Sequence, residues 1–255
     1  MSATTASGDA KVRDLPSVEI LGVPVHAVSM KSAVYAIEEL IEEGGPSMVI
    51  TADTSGIVLA QHDRQWMDIM NSANLVTPDS IGVVWAARRL GTPLRERVSG
   101  VDLMDILCSR ASQKGYRVYL LGATPGVSAQ AARKMQERHP GLLVVGARHG
   151  YLSPEEEVEV VREIRSLQVD ILFVAMGIPR QEKFIFEHLY EMAAKVAIGV
   201  GGSFDVWSGN VRRAPKFVRA LRLEWLWRLL LNPRKWRKAL TLPQFVWLVV
   251  TRGRR

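Results

Sequence analysis

The chain has 255 residues, of which 47% are apolar, a normal content for a globular core. Its single cysteine, Cys108, excludes an internal disulfide and any multi-cysteine zinc site. The net charge of +7 hides a segregation: the first 211 residues hold 20 Lys and Arg against 25 acids, whereas residues 212–255 hold thirteen against one, Glu224.

Residues 1–17 are polar, rich in small residues and without an apolar signal core. A disordered leader on a cytoplasmic protein is expected there. Two short apolar runs over 18–28, around Gly22 and Pro24, suggest a hairpin. Residues 29–43 have helical spacing, with Ala33, Ala36, Ile37, Leu40 and Ile41 on one face. A strand over 47–50 ends at Thr51, helical sequence runs to about Asn71, and a strand over 74–77 is broken by Pro78-Asp79. Helices are predicted over 81–90 and 101–113. The apolar strand 117–121 runs into Gly122-Ala123-Thr124-Pro125-Gly126, and a helix follows to about His139. Strands over 142–145, 170–175 and 195–200 then alternate with helices over 154–166 and 179–192.

Strands apolar on both faces, alternating with helices of this length, predict an α/β fold with a mostly parallel Rossmann-like sheet covered by helices on both sides. Composition shifts near 209–215. The expected organisation is therefore an α/β catalytic domain over 18–211 and a basic, aromatic, helical appendage over 212–255, with an amphipathic helix over 217–231. The tail carries Trp225, Trp227, Trp236 and Trp247, four of the seven tryptophans. Its apolar run over 240–250 is too short to span a bilayer and contains Pro243 and Gln244. Arg, Lys and Trp interleaved with Leu and Val suit an anionic membrane surface.

In an open parallel sheet, ligands bind beyond the carboxyl ends of the strands. The residues there are Thr51, Asp53 and Thr54; Pro78, Asp79 and Ser80; Gly122 to Gly126; Gly177 to Glu182; and Gly199 to Asp205. Glycines, hydroxyls and acids, Asp53 and Asp79 among them, are what a pocket for a phosphate-bearing ligand needs. Each has a plainer reading. Asp79 alone reads first as the N-cap of the helix from Ile81, Arg97 as a solvated charge, and Gln181-Glu182 as first-turn residues behind Pro179. Cys108, in an apolar helical stretch, reads as an inert buried thiol. The five histidines show no ligand spacing, and GxSxG, HExxH and Asp-x-Asp are all missing from the sequence. The last absence argues against the common metal-held sugar diphosphate.

Ten phrases recur in order: Thr51-Ala52-Asp53; Val76-Thr77-Pro78-Asp79-Ser80; Arg97-Val98-Ser99-Gly100 with Asp102; Leu120 to Val127 around Gly122, Thr124 and Gly126; His139-Pro140-Gly141; His149-Gly150-Tyr151; Met176-Gly177-Ile178-Pro179-Arg180-Gln181-Glu182; Gly199-Val200-Gly201-Gly202-Ser203-Phe204-Asp205; Arg213-Ala214-Pro215; and Leu223-Glu224-Trp225-Leu226. In these the chain resembles the WecG/TagA/CpsF glycosyltransferases over about residues 18–240. The resemblance implies metal-independent, inverting transfer from a nucleotide-sugar donor, typically UDP-linked, to a polyprenyl-diphosphate-linked saccharide in teichoic acid or exopolysaccharide synthesis. It implies Asp79 as the base and Thr51, Arg97 and Gln181 as active-site polar residues. Arg228, with Arg234 and Arg237, would be brought over the site by a membrane-docked tail. Asp53 and Ser80 depart from the family's usual Asn and Gly, which bears on the donor. Gly122, Thr124, Gly126, Gly177 and Gly201 complete the expected donor site, without metal or cofactor.

Two other readings compete. An NAD-type oxidoreductase needs a complete GxGxxG opening the first βαβ unit, and Gly199-Val200-Gly201-Gly202 lacks its third glycine, with Phe204 in that place. A nucleic-acid binder fits the tail's charge but not its apolar content. The expected partners are donor, lipid-linked acceptor and membrane, not nucleic acid. The oligomeric state, homo-oligomer included, is left open.

Overall fold

The computed structural model describes residues 12–215 and 241–252, with Val218 and Trp227 between them. The expected helix over 217–231 and the calls on Arg228, Arg234 and Arg237 lie outside the described residues.

A hairpin of β1 (Ser17–Ile20) and β2 (Val23–His26) comes first. There follow α1 (Met30–Glu43), β3 (Ser47–Ala52), α2 (Thr54–Ala60), α3 (Arg64–Ser72), β4 (Leu75–Pro78), α4 (Ile81–Arg89) and α5 (Gly100–Lys114). Then come β5 (Arg117–Gly122), α6 (Val127–Arg138), β6 (Leu143–Arg148), α7 (Pro154–Ser166), β7 (Ile171–Ala175), α8 (Arg180–Met192), β8 (Val196–Gly199) and α9 (Ser203–Ser208). The last described helix, α10, is Thr241–Arg252.

The six strands β3 to β8 form one sheet in the order β4-β3-β8-β7-β5-β6, and every pairing is parallel. Successive residues point to opposite faces, and both faces are buried. Met48, Ile50, Leu172 and Val174 point into one cluster, with Ile57, Trp66, Val83, Val160 and Ile185 from α2, α3, α4, α7 and α8. Val49, Ile171, Phe173 and Ile198 point into the other, with Ile37, Leu107, Ala131 and Phe204 from α1, α5, α6 and α9. Apolar strands between helical layers are the predicted architecture.

Local chemistry sets the helix ends. Ser29 makes a capping box with Ser32, and Ser153 makes one with Glu156 ahead of Pro154. The predicted single helical stretch to Asn71 is broken instead, because Asp63 accepts from the Trp66 amide and starts α3 anew. Among the described residues no helix is long and apolar enough to cross a membrane.

Of the terminal apolar run, the described residues 241–250 fold back onto the body. Pro243 sits in the first turn of α10, where a missing N–H costs nothing. Phe245, Leu248 and Val249 are buried in the same cluster as α2 and α4. Gly82 makes room: a Cβ there would lie 2.5 Å from Thr54 Cγ2 and 3.4 Å from Leu242 Cδ1. The last part of the expected appendage thus contributes to the core of the α/β body.

Candidate active site

The carboxyl ends of β4, β3, β8 and β7 lie side by side, and the predicted residues emerge from them. Thr51 is the last residue but one of β3, and its hydroxyl donates to the Gly199 carbonyl at 2.8 Å, tying β3 to β8. One strand over, Asp79 follows β4, its amide bonded to the Ala52 carbonyl at 2.9 Å. Asp79 is not the helix cap. Ser80 has the extended cap conformation and accepts from the Val83 amide at 3.3 Å, so it starts α4.

The Asp79 carboxylate instead accepts from the Gly100 amide at 3.2 Å, at the start of α5. Arg97 Nε donates to the Asp79 carbonyl at 2.7 Å and lies 3.8 Å from Oδ1. Gly100 brings this corner together: a Cβ there would lie 3.6 Å from Thr51 Oγ1 and 3.8 Å from Asp79 Oδ2. Asp79 and Arg97 keep 29% and 27% of their side-chain surface exposed, so both reach solvent. Thr51, Asp79 and Arg97 therefore form one cluster: a hydroxyl, a carboxylate that can take a proton, and a cation beside it.

Asp53 lies at the rim as the N-cap of α2, its Oδ1 accepting from the Gly56 amide at 2.8 Å and from Ser55 Oγ at 2.6 Å. A cap needs an acceptor, which Asp supplies as well as Asn does.

Gly122 ends β5 at φ 138°, and a Cβ there would lie 2.4 Å from the Ala175 carbonyl oxygen. No side chain fits. Thr124 and Gly126 follow, exposed at the start of α6. This loop shares the edge with Asp79 but not its corner. Three strand spacings, roughly 14 Å, separate β5 from β3.

Gln181, the other polar residue expected at the site, is buried beneath this edge. It is 1% exposed. Its Oε1 accepts from the Gly177 amide at 3.2 Å and the Gly201 amide at 3.0 Å. Its Nε2 donates to Glu182 Oε1 at 2.6 Å. Gly177 and Gly201 accordingly turn their amides inward. Sequence reasoning missed this use of Glu182, because a first-turn Glu ordinarily faces solvent and nothing in its spacing marks it as buried.

Asp102, in the first turn of α5, pairs with Arg213 at 2.6 Å, which fixes the segment leading to the tail beside the Asp79 corner. Cys108 is buried, and burial pushes its thiol up to about 12, so it is inert as expected. Among the described residues, the one group of three side chains that could hold a metal is Glu157, Glu187 and His188, on α7 and α8.

Residues 18–255 match the family described as Glycosyl transferase WecG/TagA/CpsF family. Relatives of comparable length in Bacillus and Staphylococcus bear the name N-acetylglucosaminyldiphosphoundecaprenol N-acetyl-beta-D-mannosaminyltransferase. The protein of Bacillus spizizenii is 36% identical over 84% of this chain and 82% of its own. That of Bacillus subtilis is 35% identical over 85% and 84%, and that of Staphylococcus aureus strain MRSA252 is 32% identical over 93% and 94%. With a family match over residues 18–255 and relatives 32–36% identical over most of its length, the chain belongs to the WecG/TagA/CpsF family of glycosyltransferases.

Proposed function

We propose that this enzyme transfers N-acetylmannosamine from a UDP-linked donor to a polyprenyl-diphosphate-linked N-acetylglucosamine, with inversion and without a metal. The relatives' names motivate the sugar and the acceptor. The observation that carries the mechanism is the Asp79 carboxylate, relieved of capping by Ser80 and held by the Gly100 amide beside Thr51 and Arg97.

In this reading the acceptor hydroxyl attacks the anomeric carbon and its proton passes to Asp79. The bond from that carbon to the diphosphate oxygen breaks, and UDP leaves with the electron pair. A sugar hydroxyl is too weak an acid to ionise first, so proton removal accompanies attack. The leaving diphosphate needs positive charge. Arg97 stands at the corner, and Arg228, Arg234 and Arg237 of the tail are the further cations assigned to this task, since Arg makes bidentate phosphate contacts. The separation between the Asp79 corner and the Gly122 loop suits an extended donor, with the nucleotide towards Gly122, Thr124 and Gly126.

The acceptor's lipid requires a membrane face. We assign it to the tail together with the outer side of α10 and α4, on the inner surface of the cell membrane. Trp247 and Val250 of α10 are 58% and 53% exposed. On α4, against which α10 packs, Trp85, Arg88 and Arg89 line a shallow depression of about 410 Å³. Cations over exposed tryptophans are the composition such a surface uses.

The family match removes the motive for the oxidoreductase and nucleic-acid readings. The test is product mass from a panel of UDP-sugars and polyprenyl-diphosphate acceptors, in EDTA. Transfer of N-acetylmannosamine in EDTA supports the proposal, and restoration only by Mg²⁺ or Mn²⁺ overturns its metal-free part.

A further inference from the structure

Gln181 lies under the edge assigned to the reaction, yet its side-chain hydrogen bonds run inward. Two backbone amides, Gly177 from the β7–α8 loop and Gly201 from the β8–α9 loop, converge on its Oε1 at 3.2 Å and 3.0 Å. Backbone N–H groups only donate, so this end must be the carbonyl oxygen and the NH₂ must face the other way. There it meets Glu182 Oε1 at 2.6 Å, in a site where Gln181 is 1% and Glu182 0% exposed. Gly199 closes over the pair: a Cβ there would lie 2.6 Å from Gln181 Nε2 and 2.8 Å from Glu182 Oε1. The carbonyl of that same Gly199 receives the Thr51 hydroxyl at 2.8 Å.

We propose that Gln181 and Glu182 form a buried strut that holds the β7–α8 and β8–α9 loops in register with Thr51 and the Asp79 corner, and that Gln181 is a positioning residue which does not touch the substrate. Glu182 sets the orientation of the amide. Its Oε1 accepts from the NH₂ and leaves the carbonyl for the two loops. Removing either partner leaves buried hydrogen-bonding groups unmatched and lets both loops shift. The inference rests on the sugar-transfer reading, because turnover is its readout.

Exchanging the two side chains tests it. In Gln181→Glu alone, two carboxylates meet where an amide met a carboxylate. In Gln181→Glu/Glu182→Gln, a carboxylate oxygen accepts from Gly177 and Gly201, and the new amide donates from position 182. The set of hydrogen bonds is preserved, but the NH₂ at position 181 is gone. Both variants are assayed for kcat and KM of transfer, for UDP affinity and for thermal melting. A misplaced site costs roughly tenfold to a hundredfold, so Gln181→Glu should lose at least about tenfold in kcat/KM, chiefly through kcat. The exchange should return to within about threefold of the parent, as expected if the two positions act as one unit. A folded exchange variant as impaired as Gln181→Glu overturns the proposal, because a substrate that needs the Gln181 NH₂ would not be served. An exchange variant that does not fold also overturns it, as does full activity in the single variant. Failure of the parent to transfer sugar would instead count against the function proposed above.

Discussion

Asp79 owes its availability to its neighbour. Ser80 takes the cap of α4, so the carboxylate one residue earlier accepts from the Gly100 amide and stays at the solvent edge with Arg97 beside it. Asp79→Asn should therefore keep UDP affinity and melting temperature while turnover falls by about 10²–10⁴, the usual worth of a positioned base. Ser80→Ala should instead cost about 1 kcal/mol of stability, read by denaturant melts. Cys108, with its thiol pushed up to about 12 by burial, should resist iodoacetamide in the native enzyme at neutral pH and react after unfolding. The sequence shows that Asp79 follows a strand, but not which of two adjacent capping residues caps the helix. That depends on where the chain turns, and the turn is settled by the bond to Gly100, 21 residues away. The burial of Gln181 was not legible, because the same first-turn position can face solvent or the sheet.

Strands and helices were more legible than side-chain roles, since strands apolar on both faces between helices with one apolar face leave a strong pattern. The break between α2 and α3 and the short α9 were not read. The first rests on one capping carboxylate, and the second is six residues long. The hairpin offers a test at this scale. His26 Nδ1 accepts from the Val76 amide at 3.0 Å, pinning β2 to the edge strand β4. Burial holds this histidine below its ordinary value. The neutral form is therefore the folded one, and its contribution is complete above about pH 6.5 and lost as pH falls towards the lowered folded value. Stability measured by denaturant melts should decline over that acid range, and the decline should shrink in a His26→Gln variant. At β5, Gly122→Ala would force a Cβ against the Ala175 backbone at a positive φ, so it should be among the most destabilising single changes and should lower the yield of folded protein.

Across the whole molecule, the segregated charge suggested a body and a separable tail. The final helix shows why that boundary is not a line in the sequence. Phe245 is fully buried against α2 and α4, on the same sheet face as Trp66 and Ile185. Phe245→Ala should cost about 3–5 kcal/mol, the usual range for a buried phenylalanine. Truncation before Thr241 should lower the melting temperature as well as vesicle binding. Trp247→Ser, on the exposed side of the same helix, should leave melting nearly unchanged and weaken binding to anionic vesicles. Composition could not show this division, because it counts tryptophans and arginines without saying which side of a helix meets the body. The central claim is that this edge joins a sugar to a lipid-linked acceptor through Asp79. Its most direct test is mass and linkage analysis of the product from UDP-N-acetylmannosamine and polyprenyl-diphosphate N-acetylglucosamine, with parent and Asp79→Asn enzymes in parallel. The account predicts one added N-acetylhexosamine in β linkage from the parent and a product rate lower by about 10²–10⁴ from the variant. No added sugar from the parent with any nucleotide donor, or equal rates from the two enzymes, would contradict it.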